Sequence, residues 1–432
     1  MSEIQRTIAF FPEPGAWGPT NNCVAVAEVL RTRGIRTVFV VEDSFKGVLA
    51  ERGFEEALFR VSPPTGDEEA VGGGWADWVR DNAKNFRRPT LEQTTTVIKP
   101  IWEELVAHGK YAHERLTEIF DHEVRPDLIV SDNVCAFPAV YAGGRRWVRA
   151  VSANPLELRD PTLPPPLSGL SVSDSAGWQE FRDRARGELH PAWSELNDFC
   201  RSVGLDPLPD EEFQYVSPLL NYYLFPGEVD YVRSRPLGST WHRLDSTVRT
   251  SDRPFDVSER LPGDGKVIYL SLGSLGSMDV ELMQRLIDVL DRTGHRVIVS
   301  MGLMHDQLRL GDRMYGEGFL PQTSILNQCD LLITHGGNNT FAEAFYFGLP
   351  TIVLPLFWDQ YDNAQRAQET GFGVRLRTYD FEDHELLDAV ERLLGDRQMN
   401  DRIHTVSAQM QAQPGRIKGA DLLEQLVHRL PA

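Results

Sequence analysis

A β-prone apolar run, a Gly- or Pro-rich loop, a helix-periodic stretch and a second β-prone run follow one another twice in this chain. The first instance runs through a strand at 7–11, the loop PEPGAWGPTNN, a helix over 23–33 closed by Gly34, and a strand at 37–41. The second runs through a strand at 267–272, the loop SLGS, a helix over 280–291 and a strand at 296–300. Alternation of this kind predicts parallel strands joined by helical crossovers, because parallel neighbours cannot be joined by a short hairpin. Further strands are expected at 127–130 and 147–151 in the first half. In the second half, strands at 331–334 and 351–354 precede helices over 339–347 and 362–370. The chain is therefore read as α/β, in two halves of comparable architecture. Composition breaks place the parts at 1–235, an interdomain linker at 236–264 (SRPLGST, SDRPFD, LPGDGK), a second domain at 265–405 and a C-terminal helical segment at 406–432. Residues 155–175 are rich in Pro, Ser and Leu and read as a long loop. A mainly helical region carrying Trp75, Trp78 and Trp102 fills the space before residue 127.

Charge narrows the partners. The 432 residues hold 44 Lys and Arg against 63 Asp and Glu, a net charge of −19. That balance argues against coating nucleic acid or anionic lipid, which require a basic footprint. No run approaches the roughly 20 apolar residues that span a bilayer, and the N-terminus lacks the pattern of a secretion signal. Four scattered cysteines without a C-x-x-C pair suit a reducing, cytoplasmic setting. There is no HExxH, and no Asp-x-Asp to hold a metal against a nucleotide diphosphate, so chemistry without a metal or other cofactor is expected. Oligomeric state leaves no trace in the sequence.

The segment 319–377 carries the chemistry. LLIT reads as a buried parallel strand, HGGNNT as the turn beyond its carboxyl end, and the following residues as a helix. Ligands in open α/β sheets bind at the carboxyl ends of strands, and anions bind at helix N-termini. Gly336 and Gly337 allow close approach of backbone N–H groups. Asn339 and Thr340 are placed to cap the helix and to donate to phosphate oxygens, and His335 adds a side-chain donor. Glu343, one turn on, is spaced to accept from a ribose diol. Asp359 and Gln360 follow the next strand and are placed to hold sugar hydroxyls. Each feature alone is compatible with an ordinary tight turn; the ordered set is not.

That set resembles the nucleotide-sugar signature of family 1 glycosyltransferases, the UDP-glycosyltransferase-like enzymes of bacterial natural-product type. Its elements stand in family order: Phe319-x-Pro321-Gln322, Ile325-Leu326, Thr334-His335-Gly336-Gly337, Asn339-Thr340, Glu343, Gly348-x-Pro350 and Asp359-Gln360 with Asn363 following. The resemblance implies a GT-B fold, two Rossmann-like doubly wound domains facing a central cleft. The acceptor would lie in the first domain and a UDP- or TDP-sugar in the second, with the C-terminal helix packing back on the first. It implies that Phe319 stacks on the nucleobase, where the family often has Trp, and that Gln322 contacts ribose or base. It further implies that His335, Gly337, Asn339 and Thr340 hold the diphosphate, Glu343 the ribose, Asp359 and Gln360 the sugar, and Ser274 a phosphate. For Ser274 an ordinary Gly/Ser turn is an equal reading.

The first half departs from the family. Its members carry a general-base histidine soon after the first strand, in a Pro-Gly-His context. Here the loop reads Pro14-Gly15-Ala16-Trp17, and Ala16 occupies that position. The aspartate that usually orients the histidine has a match in Asp132. Three readings stay open: Asp132 acts as the base with a pKa raised by burial; the acceptor needs little activation; or the chain binds a donor without transferring it, as a non-catalytic partner. An epimerase on the same fold is a further alternative. The favoured expectation is a metal-independent, inverting transfer of a hexose from a nucleotide sugar to a small-molecule acceptor. Trp75, Trp78, Phe86 and Trp102 are read first as core and second as an acceptor-pocket wall.

Overall fold

The computed structural model describes residues 5–64, 78 and 82–430. Their strands build two sheets in which every pairing is parallel. The first sheet holds β1 (Thr7–Pro12), β2 (Arg36–Glu42), β3 (Glu55–Phe59), β4 (Leu128–Asp132), β5 (Trp147–Val151), β6 (Asn221–Tyr223) and β7 (Trp241–Arg243), in the order β3-β2-β1-β4-β5-β6-β7. The second holds β8 (Val267–Ser271), β9 (Arg296–Ser300), β10 (Met314–Glu317), β11 (Leu331–Thr334), β12 (Thr351–Val353) and β13 (Gly373–Arg375), in the order β10-β9-β8-β11-β12-β13. The central strands β1, β4, β8 and β11 are buried along their whole length. Continuous apolar runs such as LLIT are what a parallel sheet covered on both faces demands.

Each predicted strand is present, and the sheets contain five more. Four of the five, β3, β7, β10 and β13, are edge strands, where charge and shortness are tolerated. β3 reads EEALF, and its exposed Glu55 pairs with Arg36 on β2 at 2.7 Å. β7 lies inside the stretch expected to be linker, so the first sheet extends past residue 236 and the crossing to the second sheet begins after Arg243.

Helix boundaries also shift. α1 (Trp17–Thr32) starts six residues before the predicted helix. Its Pro19 falls in the first turn, where a missing N–H leaves no intrahelical bond unmade. α2 (Trp178–Ser202) follows the Pro-rich loop and contains Pro191, which concealed it in the sequence. In the second half α3 (Asn338–Phe347) follows β11, and α4 (Gln360–Thr370) follows β12. The expected boundary at 405 falls within α5 (Arg397–Ala412), so the C-terminal segment is two helices. α5 bonds to the end of α3, Ser407 Oγ donating to Tyr346 O at 2.6 Å. α6 (Gly415–Arg429) crosses to the first domain, where Ala420, Leu423 and Val427 share a core with Ile8, Val24 and Leu30. Its first residue must be glycine, since a Cβ there would lie 1.9 Å from Leu244 O.

A candidate active site between two switch points

Strand order reverses twice, between β1 and β4 in the first sheet and between β8 and β11 in the second. Such reversals open a crevice at the carboxyl ends of the strands. In the first sheet Pro12 pairs with Asp132, so Glu13 and Asp132 come together where the strands end. In the second Ser271 pairs with Thr334, which brings the Gly273–Ser274 turn beside His335. The two switch points face each other across a cleft of about 510 Å³. The first domain lines it with Glu13, Ala16, Trp17 and Asp132. The second lines it with Ser274, Phe319, Gln322, His335, Gly337, Asn339, Thr340, Asp359 and Gln360. Of the site residues read from sequence, Gly336 and Glu343 do not line it.

Two helices begin at this cleft with open ends. The N-cap of α1 is Ala16 and that of α3 is Gly337, and neither helix has a side-chain cap. Asn339 and Thr340 were expected to cap α3; they lie inside it, because the helix already begins at Asn338. The first-turn N–H groups are therefore free to meet an anion. The two helix starts approach each other closely, a Cβ on Gly18 falling 3.9 Å from Asn339 Cβ. Asn338 pins α3 to the first domain: its Nδ2 donates to Ser152 O at 2.8 Å and Leu224 O at 2.9 Å.

His335 stands between two glycines. A Cβ on Gly273 (φ +72°) would come within 2.7 Å of its ring, and one on Gly337 within 2.8 Å. The sequence signal of Gly in both turns is thus the space that this ring needs. Burial lowers the His335 pKa to about 4, so the imidazole is neutral at pH 7 and carries hydrogen-bonding groups without a charge.

Phe319 is 56% exposed at the rim, with its ring open to a planar ligand. Glu343 departs from expectation. It is 1% exposed, and both its oxygens are taken by protein groups. Oε1 accepts from Arg249 Nη1 at 3.1 Å and Asn339 Nδ2 at 3.2 Å, and Oε2 accepts from Gln322 Nε2. Glu343 therefore lies beneath the cleft and orients residues that reach it. Burial raises its pKa, with Arg249 opposing. Arg249 was missed in the sequence: it sits in the expected linker and also grips Asp252 through two 2.8 Å contacts.

Asp359 and Gln360 are held in place at the start of α4. The Asn154 N–H donates to Asp359 Oδ2 at 2.8 Å, a bond between domains, and burial pushes the Asp359 carboxyl up to about 7. Gln360 Oε1 accepts from the N–H groups of Leu356 and Phe357. The next acid, Asp362, accepts from Leu167 N and Gly169 N, which fastens the Pro-rich loop onto α4.

On the opposite side Asp132 is 4% exposed. Its Oδ1 accepts from Ser152 N at 3.1 Å, and Oδ2 has no partner among the described residues. Burial, offset in part by Ser152, raises its pKa to about 7. Beyond it opens a side chamber of about 240 Å³ that shares Val134, Ala153, Glu157, Trp358 and Asp359 with the cleft. Trp102 lines this chamber and stacks on Phe213 at 4.0 Å, so it is both core and wall. Phe86 and Trp78 pack with Phe357; Trp75 lies outside the described residues. Trp358, also missed, has φ +61°, a left-handed conformation that costs a side-chain-bearing residue about 1–2 kcal/mol. Its ring sits 5.7 Å from Trp102, at the junction of the two spaces. Among the described residues no group of His, Cys, Asp or Glu is placed to hold a metal ion, and no helix is long and apolar enough to cross a membrane.

Known proteins carry the same arrangement. Residues 284–426 match the family described as Erythromycin biosynthesis protein CIII-like, C-terminal domain. The oleandomycin glycosyltransferase of Streptomyces antibioticus is 23% identical over 424 residues, 95% of this chain and 88% of that protein. The zeaxanthin glucosyltransferase of Pseudescherichia vulneris is 30% identical over 296 residues, 66% of this chain and 69% of that protein. Among solved structures, the calicheamicin glycosyltransferase superposes with a TM-score of 0.69 at 18% identity, over 99% of this chain and 100% of that one. The spinosyn rhamnosyltransferase complexed with thymidine diphosphate superposes with a TM-score of 0.66 at 19% identity, over 98% of this chain and 100% of that one. Two facing parallel sheets, the ordered donor-side residues and these relatives agree: the chain belongs to the family 1 glycosyltransferases of the GT-B fold.

Proposed function

We propose that this glycosyltransferase moves a hexose, with inversion and without a metal, from a nucleoside-diphosphate sugar to a small-molecule acceptor, UDP-sugar being favoured over TDP-sugar. The donor lies against the second domain. Phe319 stacks on the base, Gln322 reaches the ribose or base, and the diphosphate meets the start of α3 with His335, Gly337, Asn339, Thr340 and Ser274. Asp359 and Gln360 hold the sugar. Glu343 supports this surface from below. The acceptor enters by the first domain and the side chamber, and Asp132 is its base. The observation that carries the reading is the pairing of an uncapped helix start with a buried, half-satisfied Asp132 carboxyl across one cleft.

The steps follow from those positions. The acceptor attacks the anomeric carbon from the face opposite the diphosphate, and its proton passes to Asp132 Oδ2. Negative charge grows on the departing diphosphate, where helix N–H groups and the neutral His335 are already aimed. A carboxyl with a pKa near the working pH is suited to accept that proton, which makes good the loss of a histidine at Ala16. The apolar side chamber suits an acceptor with an apolar body. Its four cysteines are unpaired, which agrees with work in the cytoplasm. Incubation with UDP-glucose or TDP-glucose and a panel of phenols, alcohols and amines, read by mass spectrometry, is expected to show one added hexose. Donor consumption without any hexosylated product would sink transfer in favour of epimerisation or hydrolysis.

A further inference from the structure

A second buried carboxyl shares the acceptor side with Asp132 and has no part in the steps above. Glu13 follows β1 directly, three residues before Ala16. It is 8% exposed and lines the same cleft. Its N–H donates to Asp132 O at 2.9 Å, which locks the two chain segments together. Its Oε2 accepts from Val134 N at 2.9 Å, while Oε1 has no partner among the described residues. Asp132 Oδ2 is in the same condition. One switch point thus presents two carboxyls, each with one oxygen satisfied by backbone and one left over. A buried carboxyl oxygen without a partner is costly, and two of them on neighbouring residues that line one cleft mark a place for a ligand to complete both.

We propose that Glu13 is the second half of the acceptor site: its neutral carboxyl donates a hydrogen bond to an acceptor oxygen adjacent to the nucleophile, while the Asp132 carboxylate takes the nucleophile's proton. The site therefore selects compounds in which a hydroxyl neighbours a second oxygen, such as vicinal diols, catechols and hydroxyls beside a carbonyl. The inference rests on Asp132 as the base. The nucleophile's O–H proton goes to Asp132 Oδ2, and an oxygen lone pair forms the bond to the anomeric carbon. The bond from that carbon to the diphosphate breaks with its electron pair leaving on the phosphate. The Glu13 proton is not transferred.

The surroundings keep Glu13 neutral. Burial is the largest influence, and the nearby Asp132 and Glu157 add to it against one backbone donor, which pushes Glu13 up to about 8. The other groups facing this pair are Arg149 on β5, Cys23 on α1, Cys135 after β4 and Tyr222 on β6. Arg149, the one cation among them, is held by Glu157 at 2.7 Å and so is not a counter-ion for Glu13. Two adjacent buried carboxyls with one proton between them divide into an acid and a base.

Catechol and phenol, titrated into the protein at pH 7 by calorimetry, test the selection. Catechol is expected to bind about tenfold tighter, the worth of one hydrogen bond. The difference should survive in Glu13→Gln, whose amide still donates, and vanish in Glu13→Ala. Equal affinities in the wild type, or a catechol preference unchanged in Glu13→Ala, would overturn the proposal. Infrared difference spectra of ligand-free wild type against Glu13→Gln read the charge state without any acceptor. The protonated-carboxyl absorption at pH 7 should be larger in the first than in the second, and identical spectra overturn a neutral Glu13. Unimpaired turnover in Asp132→Asn, with the Glu13 results as expected, would fell the base assignment alone.

Discussion

The two switch points use opposite chemistries on one cleft. The second-sheet side offers backbone N–H groups, glycine space and an imidazole that burial keeps uncharged. The first-sheet side offers buried carboxyls with unsatisfied oxygens. A diphosphate needs donors but not net positive charge, and a helix start supplies them without a basic patch. That is how a chain with a net charge of −19 can hold an anion. The carboxyls would repel the same diphosphate if both ionised close by. They stand on the other sheet, and burial leaves them partly protonated near neutral pH.

This division of labour is broken most sharply at Asp132. Asp132→Asn is expected to lower kcat about a thousandfold, in the middle of the range for a general base. Nucleoside-diphosphate affinity, measured by calorimetry, should move less than about twofold. A matching loss of affinity would mean that the two sides are not separate functions.

The reciprocal change is smaller. His335→Ala removes one donor to a charged ligand and is expected to weaken nucleoside-diphosphate binding by roughly ten- to thirtyfold. Gly337→Ala leaves the histidine in place but sets a Cβ 2.8 Å from its ring. A comparable loss of affinity in this variant would show that the orientation of the ring matters, and wild-type affinity would show that the ring has room to move aside.

The same contrast explains what was legible in the sequence. The second-sheet side is built from nearly contiguous turns, so Gly336-Gly337, Asn339-Thr340 and Asp359-Gln360 announce it through local backbone requirements. Even there, burial was not readable. Glu343 stands at its expected place in the motif, yet Arg249, ninety-four residues away, turns it into a buried support. The first-sheet side is assembled by tertiary register. Glu13 and Asp132 meet only because β1 pairs with β4, and Ser152 completes the group from beyond β5. No spacing encodes that meeting, and no composition signals the left-handed Trp358. The central strands were legible as long apolar runs; β7 and β13, three residues each at sheet edges, were not.

Stability against pH gives the finest separation of Asp132 from His335. The carboxyls of Asp132, Asp359 and Asp362 rise from an ordinary 3.8 to about 7, and that of Glu13 from 4.5 to about 8. Between pH 4 and pH 7 the unfolded chain has released protons that the folded chain still holds. Their contribution is therefore full below pH 4 and is lost as pH rises through 7. His335 works in the other direction. Its pKa falls from 6.5 to about 4, so below pH 6.5 the unfolded chain gains a proton that the folded chain refuses, and stability drops with acid. Asp132→Asn should lessen the fall in melting temperature between pH 4 and pH 7, and His335→Ala should steepen it between pH 4 and pH 6.5. Each change is expected to be roughly 5 °C or less across its range. Changes of the same sign from both substitutions would mean that burial does not act oppositely on Asp132 and His335.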